Sequence, residues 1–192
     1  MWETKIDKKS LLYKDWCNVK FSEKSELNYF GGEDVTCQEV YRDKYFDEVY
    51  LHDFINHTID CLEKSDEYYV GIDVKFVFSI LMNCDARFVA ECGNPKYLNW
   101  PSYKWFWYLE EVGLLNRNEY PSSSKTVDYY GDALNWFGKI WTLLCFKYKI
   151  HSKILLKFLS FDDLMHFFVT CHERSWDDAC EFIYNSKLKE NI

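Results

Sequence analysis

Trp136-Phe137-Gly138-Lys139-Ile140-Trp141-Thr142-Leu143-Leu144-Cys145-Phe146-Lys147-Tyr148 is the stretch that decides the fold class. Trp136, Phe137, Ile140, Trp141, Leu144 and Tyr148 recur at three- and four-residue intervals, which places them on one stripe of an α-helix. From Gly131 onward every segment reads as helix, with a break expected near His151-Ser152, where the apolar face scrambles. Further on, Ser160-Phe161-Asp162-Asp163-Leu164 and Ser175-Trp176-Asp177-Asp178-Ala179 echo each other. Each opens with a serine able to cap a first turn and an aspartate three residues on able to reach back, so two short helices are expected to start there.

The same reading extends upstream. Between Glu39 and Lys64, Leu51, Phe54, Ile55, Ile59 and Leu62 form an apolar stripe, with Asp53, Asn56, Asp60 and Glu63 opposite; Ser65-Asp66 ends the helix. Residues 72–92 fit either an alternating strand (Val74, Phe76, Phe78, Ile80) or a helix (Val74, Val77, Phe78, Leu81, Phe88). Their length favours the helix. Pro101 marks a helix start and Gly113 a helix end. Residues 116–130, with Pro121 and Ser122-Ser123-Ser124, read as a surface loop, and any boundary between lobes falls there. Before residue 38 the chain is irregular. Trp16–Phe21 allows a short strand and Gly31-Gly32 a turn. The expected architecture is mainly α: one compact domain, residues 1–192, of about six to eight helices, with room for a small N-terminal strand pair.

Bulk properties agree. The chain has 192 residues, 48% hydrophobic, with only 7 Gly and 3 Pro, too few turn formers for a β-sandwich or barrel and too apolar for disorder. Apolar runs are about half a membrane span and broken by charges, so no transmembrane helix is expected. Met1–Lys9 lacks the apolar core of a signal peptide, which makes a cytoplasmic location the expectation. The 8 cysteines form no CxxC and no paired-histidine pattern; they read as small buried hydrophobes, and neither metal nor cofactor is expected.

Charge and rings carry the functional signal. The chain has a net charge of −8, with 15 Tyr, 15 Phe and 8 Trp. Residues 1–64 hold 14 acids and 9 bases, and the densest acidic run lies between Glu33 and Glu67. There Glu39, Asp43 and Asp47 are four apart and form one ridge on a helix, with Tyr50 next in line and Asp53, His57, Asp60 and Glu63 continuing the polar side. A carboxylate ridge with aromatic neighbours can steer a basic protein into contact; it can equally be a solvated helix face. His57 has Asp53, Asp60 and Cys61 within one turn, which suits a metal site or an exposed histidine whose pKa its acids raise. Trp100-Pro101-Ser102-Tyr103-Lys104-Trp105-Phe106-Trp107-Tyr108 is too ring-dense for one buried face, so one or two of its rings are expected at the surface unless the helix is buried all round.

Residues 133–161 contain no acid but carry Lys139, Lys147, Lys149, Lys153 and Lys157 between aromatic residues. Such a segment can bind single-stranded nucleic acid, but these lysines scatter around the helix and the whole chain repels phosphate. The simpler expectation is that they dock near the acidic N-terminal region. Leu109–Leu115 resembles the helix ending of winged-helix regulators, but no basic recognition helix stands near it. There is no phosphate loop, GxSxG or HExxH, and the adjacent Cys171-His172 point apart on a helix, so no catalytic residue is assigned.

An acidic, ring-rich, non-enzymatic chain of this size is similar in general character to bacterial immunity proteins that neutralise toxic nucleases. That likeness implies a basic partner, met by Glu39, Asp43, Asp47, Tyr50, Asp53, His57, Asp60 and Glu63. Two other readings stay open: a phage-type inhibitor of a nucleic-acid-binding defence complex, and a nucleic-acid-binding protein or enzyme using segment 139–157.

Overall fold

The computed structural model describes residues 48–91, 100–148 and 150–191. Within them lie ten α-helices and no strand. They are α1 (Glu48–Glu63), α2 (Ser65–Tyr68), α3 (Val74–Asn83), α4 (Asp85–Glu91), α5 (Ser102–Glu111), α6 (Val127–Tyr130), α7 (Asp132–Tyr148), α8 (Ser152–Leu155), α9 (Phe161–Cys171) and α10 (Trp176–Ile183), the last running on into a π-helical turn at Tyr184–Leu188. The chain is mainly α, as its periodicity predicts. Three helices are single turns, which a stripe of apolar residues cannot announce. The strand at Trp16–Phe21 and the turn at Gly31-Gly32 lie outside the described residues.

α1 and α7 form the centre and run antiparallel. Phe54 meets Phe146 edge-on at 5.5 Å, Thr58 lies beside Thr142, and Ile59 lies against Gly138. The apolar stripe of α1 is buried at Phe54, Ile55, Ile59 and Leu62, and that of α7 at Trp136, Phe137, Ile140, Trp141 and Leu144. α3 closes a second side, Phe78 reaching Trp141 at 4.8 Å and Phe161 of α9 at 5.5 Å. Burying each such side chain stabilises the fold by roughly 1.5–3 kcal/mol. Buried residues on both sides of 116–130 belong to the same core cluster.

Local chemistry sets the helix ends. Asp73 caps α3 through the Lys75 N–H, and the chain straightens at Cys84, so Val74–Asn83 and Asp85–Glu91 are two helices where one was expected. Pro101 precedes α5, and Gly113, at φ 75°, follows it. Ser160 makes a full capping box with Asp163, and Ser175 accepts the Asp178 N–H. α8 begins at Ser152, where the break was expected. The 116–130 segment is largely exposed but pinned: Asp73 N donates to Pro121 O at 2.8 Å and Ser123 N to Gly71 O at 3.0 Å.

Candidate functional site

Of the acidic ridge, Glu39, Asp43 and Asp47 lie outside the described residues, and Tyr50 is described only as backbone within α1. The remaining four positions sit on or beside the outer side of α1. Asp53 is exposed, 3.6 Å from His52 Nδ1. Asp60 pairs with Lys64 at 2.5 Å. Glu63 is exposed, hydrogen-bonded to the Asn135 side chain, with the carboxylates of Asp60 and Asp132 nearby. Partial desolvation and those two carboxylates push its pKa up against the opposing Asn135 bond and Lys64. Asp132 was not among the expected site residues. It opens α7, and only the antiparallel packing of α7 on α1 carries it to Glu63. The negative face thus spans two helices.

His57 departs from expectation. The acids one turn away do raise its pKa, but burial outweighs them and Arg87 adds to the lowering, so the net shift is downward. The cause is tertiary: His57 lines a small cavity with Phe54, Thr58, Cys61, Leu81, Arg87 and Trp105. It is a half-buried neutral imidazole, not a surface cation. Cys61, its other neighbour on α1, is buried with its thiol pKa pushed up, and among the described residues no cluster of three or more His, Cys, Asp or Glu is placed to hold a metal ion.

Three lysines of segment 139–157 find partners among the described residues. Lys139 Nζ sits 3.9 Å over the Trp176 ring, Lys147 pairs with Asp177 at 3.0 Å, and Lys153 pairs with Asp85. These three turn toward α10 and α4 and pair with none of the described acids of α1, and the acidic run before residue 48 lies outside the described residues. Charge along the chain cannot show this, because α10 returns to α7 only through the fold.

The interior holds a charged pair that pattern reading missed. Arg87 Nε donates to Glu91 Oε1 at 2.7 Å, Nη1 donates to Thr58 Oγ1 at 2.6 Å, and the guanidinium lies 4.3 Å over the Phe54 ring. Glu91 also accepts the Ser152 N–H at 2.8 Å and the Ser152 hydroxyl, while Trp141 Nε1 donates to Ser152 Oγ at 2.8 Å. The i,i+4 spacing of Arg87 and Glu91 was visible in the sequence, but it is equally the mark of a surface pair. Both are almost wholly buried, so the network ties α4 to α1, α7 and α8. The five described cysteines are buried too, and burial pushes the thiols of Cys84 and Cys180 up to about 12, which suppresses thiolate chemistry.

The ring-dense helix α5 divides its aromatic residues. Trp105 and Phe106 are buried, whereas Trp107 is 56% exposed and Tyr103 41%. These two rings meet at 4.9 Å in an edge-to-face pair. Tyr68 of α2, 40% exposed, packs its ring on Phe106 at 5.2 Å, and its hydroxyl lies 3.3 Å from Ser102 Oγ. Phe106 of α5 therefore adjoins α2, the turn that follows the acidic helix. No helix among the described residues is long and apolar enough to cross a membrane.

Comparison with protein-family models, curated proteins and solved structures finds no match to this chain.

Proposed function

We propose that this chain is a non-enzymatic acidic binding protein that neutralises a basic protein partner, of the kind represented by a bacterial nuclease toxin, in the cytoplasm of the cell that makes it. One observation supports this most. Glu63 lies with the carboxylates of Asp60 and Asp132 around it, and no lysine or arginine among the described residues lies within ion-pair distance of Glu63, Asp132 or, further along α1, Asp53, although the chain pairs several of its other acids: Asp60, Asp85, Asp162, Asp163 and Asp177 with lysines and Glu110 with Arg117. Crowded carboxylates on one face repel each other and are relieved by a cation from outside. A nuclease cleft must be basic to hold phosphate, so a carboxylate face complements it, raises the association rate and repels acidic competitors. Rings beside the acids supply contact area with little rotamer entropy to lose.

A phage-type inhibitor of a nucleic-acid-binding complex would use the same physics on another target. Binding nucleic acid through 139–157 is less favoured, because Lys139, Lys147 and Lys153 are already engaged within the chain.

The test is affinity capture from native cells with tagged wild type and with the Asp53→Lys/Glu63→Lys variant, at low and high salt. The expected result is a basic protein retained by the wild type and lost on charge reversal or with added salt. Retention of nucleic acid, or a partner indifferent to both changes, would refute the reading.

A further inference from the structure

The exposed rings of the described surface are not treated alike. Tyr129 carries Lys125 over its face at 4.9 Å, Trp176 carries Lys139 at 3.9 Å, and Phe182 carries Arg174 at 4.4 Å. Each is a cation–π contact made within the chain. Tyr68, Tyr103 and Trp107, the other exposed aromatic residues, have no such cation among the described residues. The cations near them in sequence are held elsewhere, Lys64 by Asp60 at 2.5 Å. Lys104 lies 4.8 Å over the half-buried Trp100, and Arg117 donates to Glu110 at 3.0 Å.

Tyr103, Trp107 and Glu111 are spaced by four on α5, so they form one ridge, and all three are exposed. An edge-to-face ring pair leaves the face of the edge-on ring open, and the ridge ends in a carboxylate. Glu67, also exposed, precedes Tyr68 in α2. An apolar partner would have to desolvate these carboxylates without pairing them, and an anionic partner would be repelled. A guanidinium or ammonium is matched by both parts, its charge by the carboxylates and its face or methylenes by the rings.

We propose that the Tyr103–Trp107–Glu111 ridge receives an arginine or lysine side chain of the partner, as the aromatic anchor of the interface. The inference rests on the reading of a cationic partner and adds the residues that grip it.

The test uses the full chain and a fluorescein-labelled hexa-arginine peptide, read by anisotropy at low ionic strength, with the hexa-citrulline peptide as the uncharged control. Wild type is expected to bind the arginine peptide in preference to the citrulline peptide. Trp107→Leu keeps bulk but removes the ring face, and is expected to weaken binding by roughly 3- to 30-fold. Trp107→Phe, which restores a face, is expected to recover most of it, and Glu111→Gln to weaken binding by about twofold. Both positions are exposed, and a thermal melt confirms the fold of each variant. Equal affinity of wild type and Trp107→Leu would overturn the assignment, as would no binding by wild type or equal binding of both peptides. Asp53→Lys/Glu63→Lys separates the two proposals. If it abolishes binding while Trp107→Leu does not, the anchor is wrong and the acidic-face reading stands. If Trp107→Leu alone weakens binding, the ridge stands and the role of the α1 face fails.

Discussion

Gly138→Ala is the most direct probe of the α1–α7 crossing on which the acidic face depends. A Cβ at 138 would lie 2.7 Å from Ile59 Cγ1, 3.1 Å from Ile59 N and 3.2 Å from Ile59 Cα. Carbon atoms sit comfortably at about 3.5–4.0 Å, so the approach to the Ile59 side chain is short by roughly 0.8 Å and the approach to its backbone carbon by about 0.3 Å or more. Ile59 is β-branched and confined to one rotamer in a helix, and its backbone cannot rotate away at all. The relief is a shift of α1 as a body. Replacing glycine by alanine in a helix interior is itself worth about 1 kcal/mol in favour of the fold, whereas overpacking a tight interface costs typically 1–3 kcal/mol. The closeness of the backbone puts this site at the upper end, leaving a net loss of about 1–2 kcal/mol. For a chain of this size that lowers Tm by roughly 2–8 °C. Urea denaturation followed by circular dichroism measures it, with Ser79→Ala on the exposed side of α3 as a control expected within about 0.5 kcal/mol of wild type. Ile59→Ala removes the side-chain clash but not the backbone one, so the double variant should be less destabilised than the sum of the two singles. A Gly138→Ala protein as stable as wild type, or more stable as helix propensity alone requires, would refute the close crossing.

Arg87→Met strands the buried Glu91 carboxylate and is expected to destabilise by about 3–5 kcal/mol, while Arg87→Met/Glu91→Met recovers much of that loss; denaturant midpoints decide, and a double variant worse than both singles would contradict the account. Ser160→Ala removes the capping box of α9 and should cost about 1 kcal/mol, and Ser160→Gly only a few tenths, measured the same way. His151 is buried, and burial foremost, with Lys153 and Lys157, brings its pKa from 6.5 down to about 4. Its folded pKa lies below the unfolded one, so between those values the unfolded chain binds more protons and stability falls as pH drops. The loss by pH 5 is about 1–2 kcal/mol, and His151→Asn should flatten that part of the pH–stability profile.

Sequence alone determined the helical class, the apolar stripes of α1 and α7, the break before Ser152, and the starts of α9 and α10. These follow from spacing within one or two turns and from serine and aspartate at helix starts, both local properties. The tertiary structure decided what lies between helices. It drove the His57 pKa down by walling the ring with Arg87 and Trp105, which no count of nearby acids foretells. It brought Asp132 to Glu63 and sent Lys139 and Lys147 to α10. It buried Arg87 and Glu91, an i,i+4 pair whose spacing is the same inside or outside, and left Trp107 exposed beside a buried Trp105. Burial and charge pairing depend on which helix faces arrive from elsewhere in the chain, and periodicity records a face without recording what covers it.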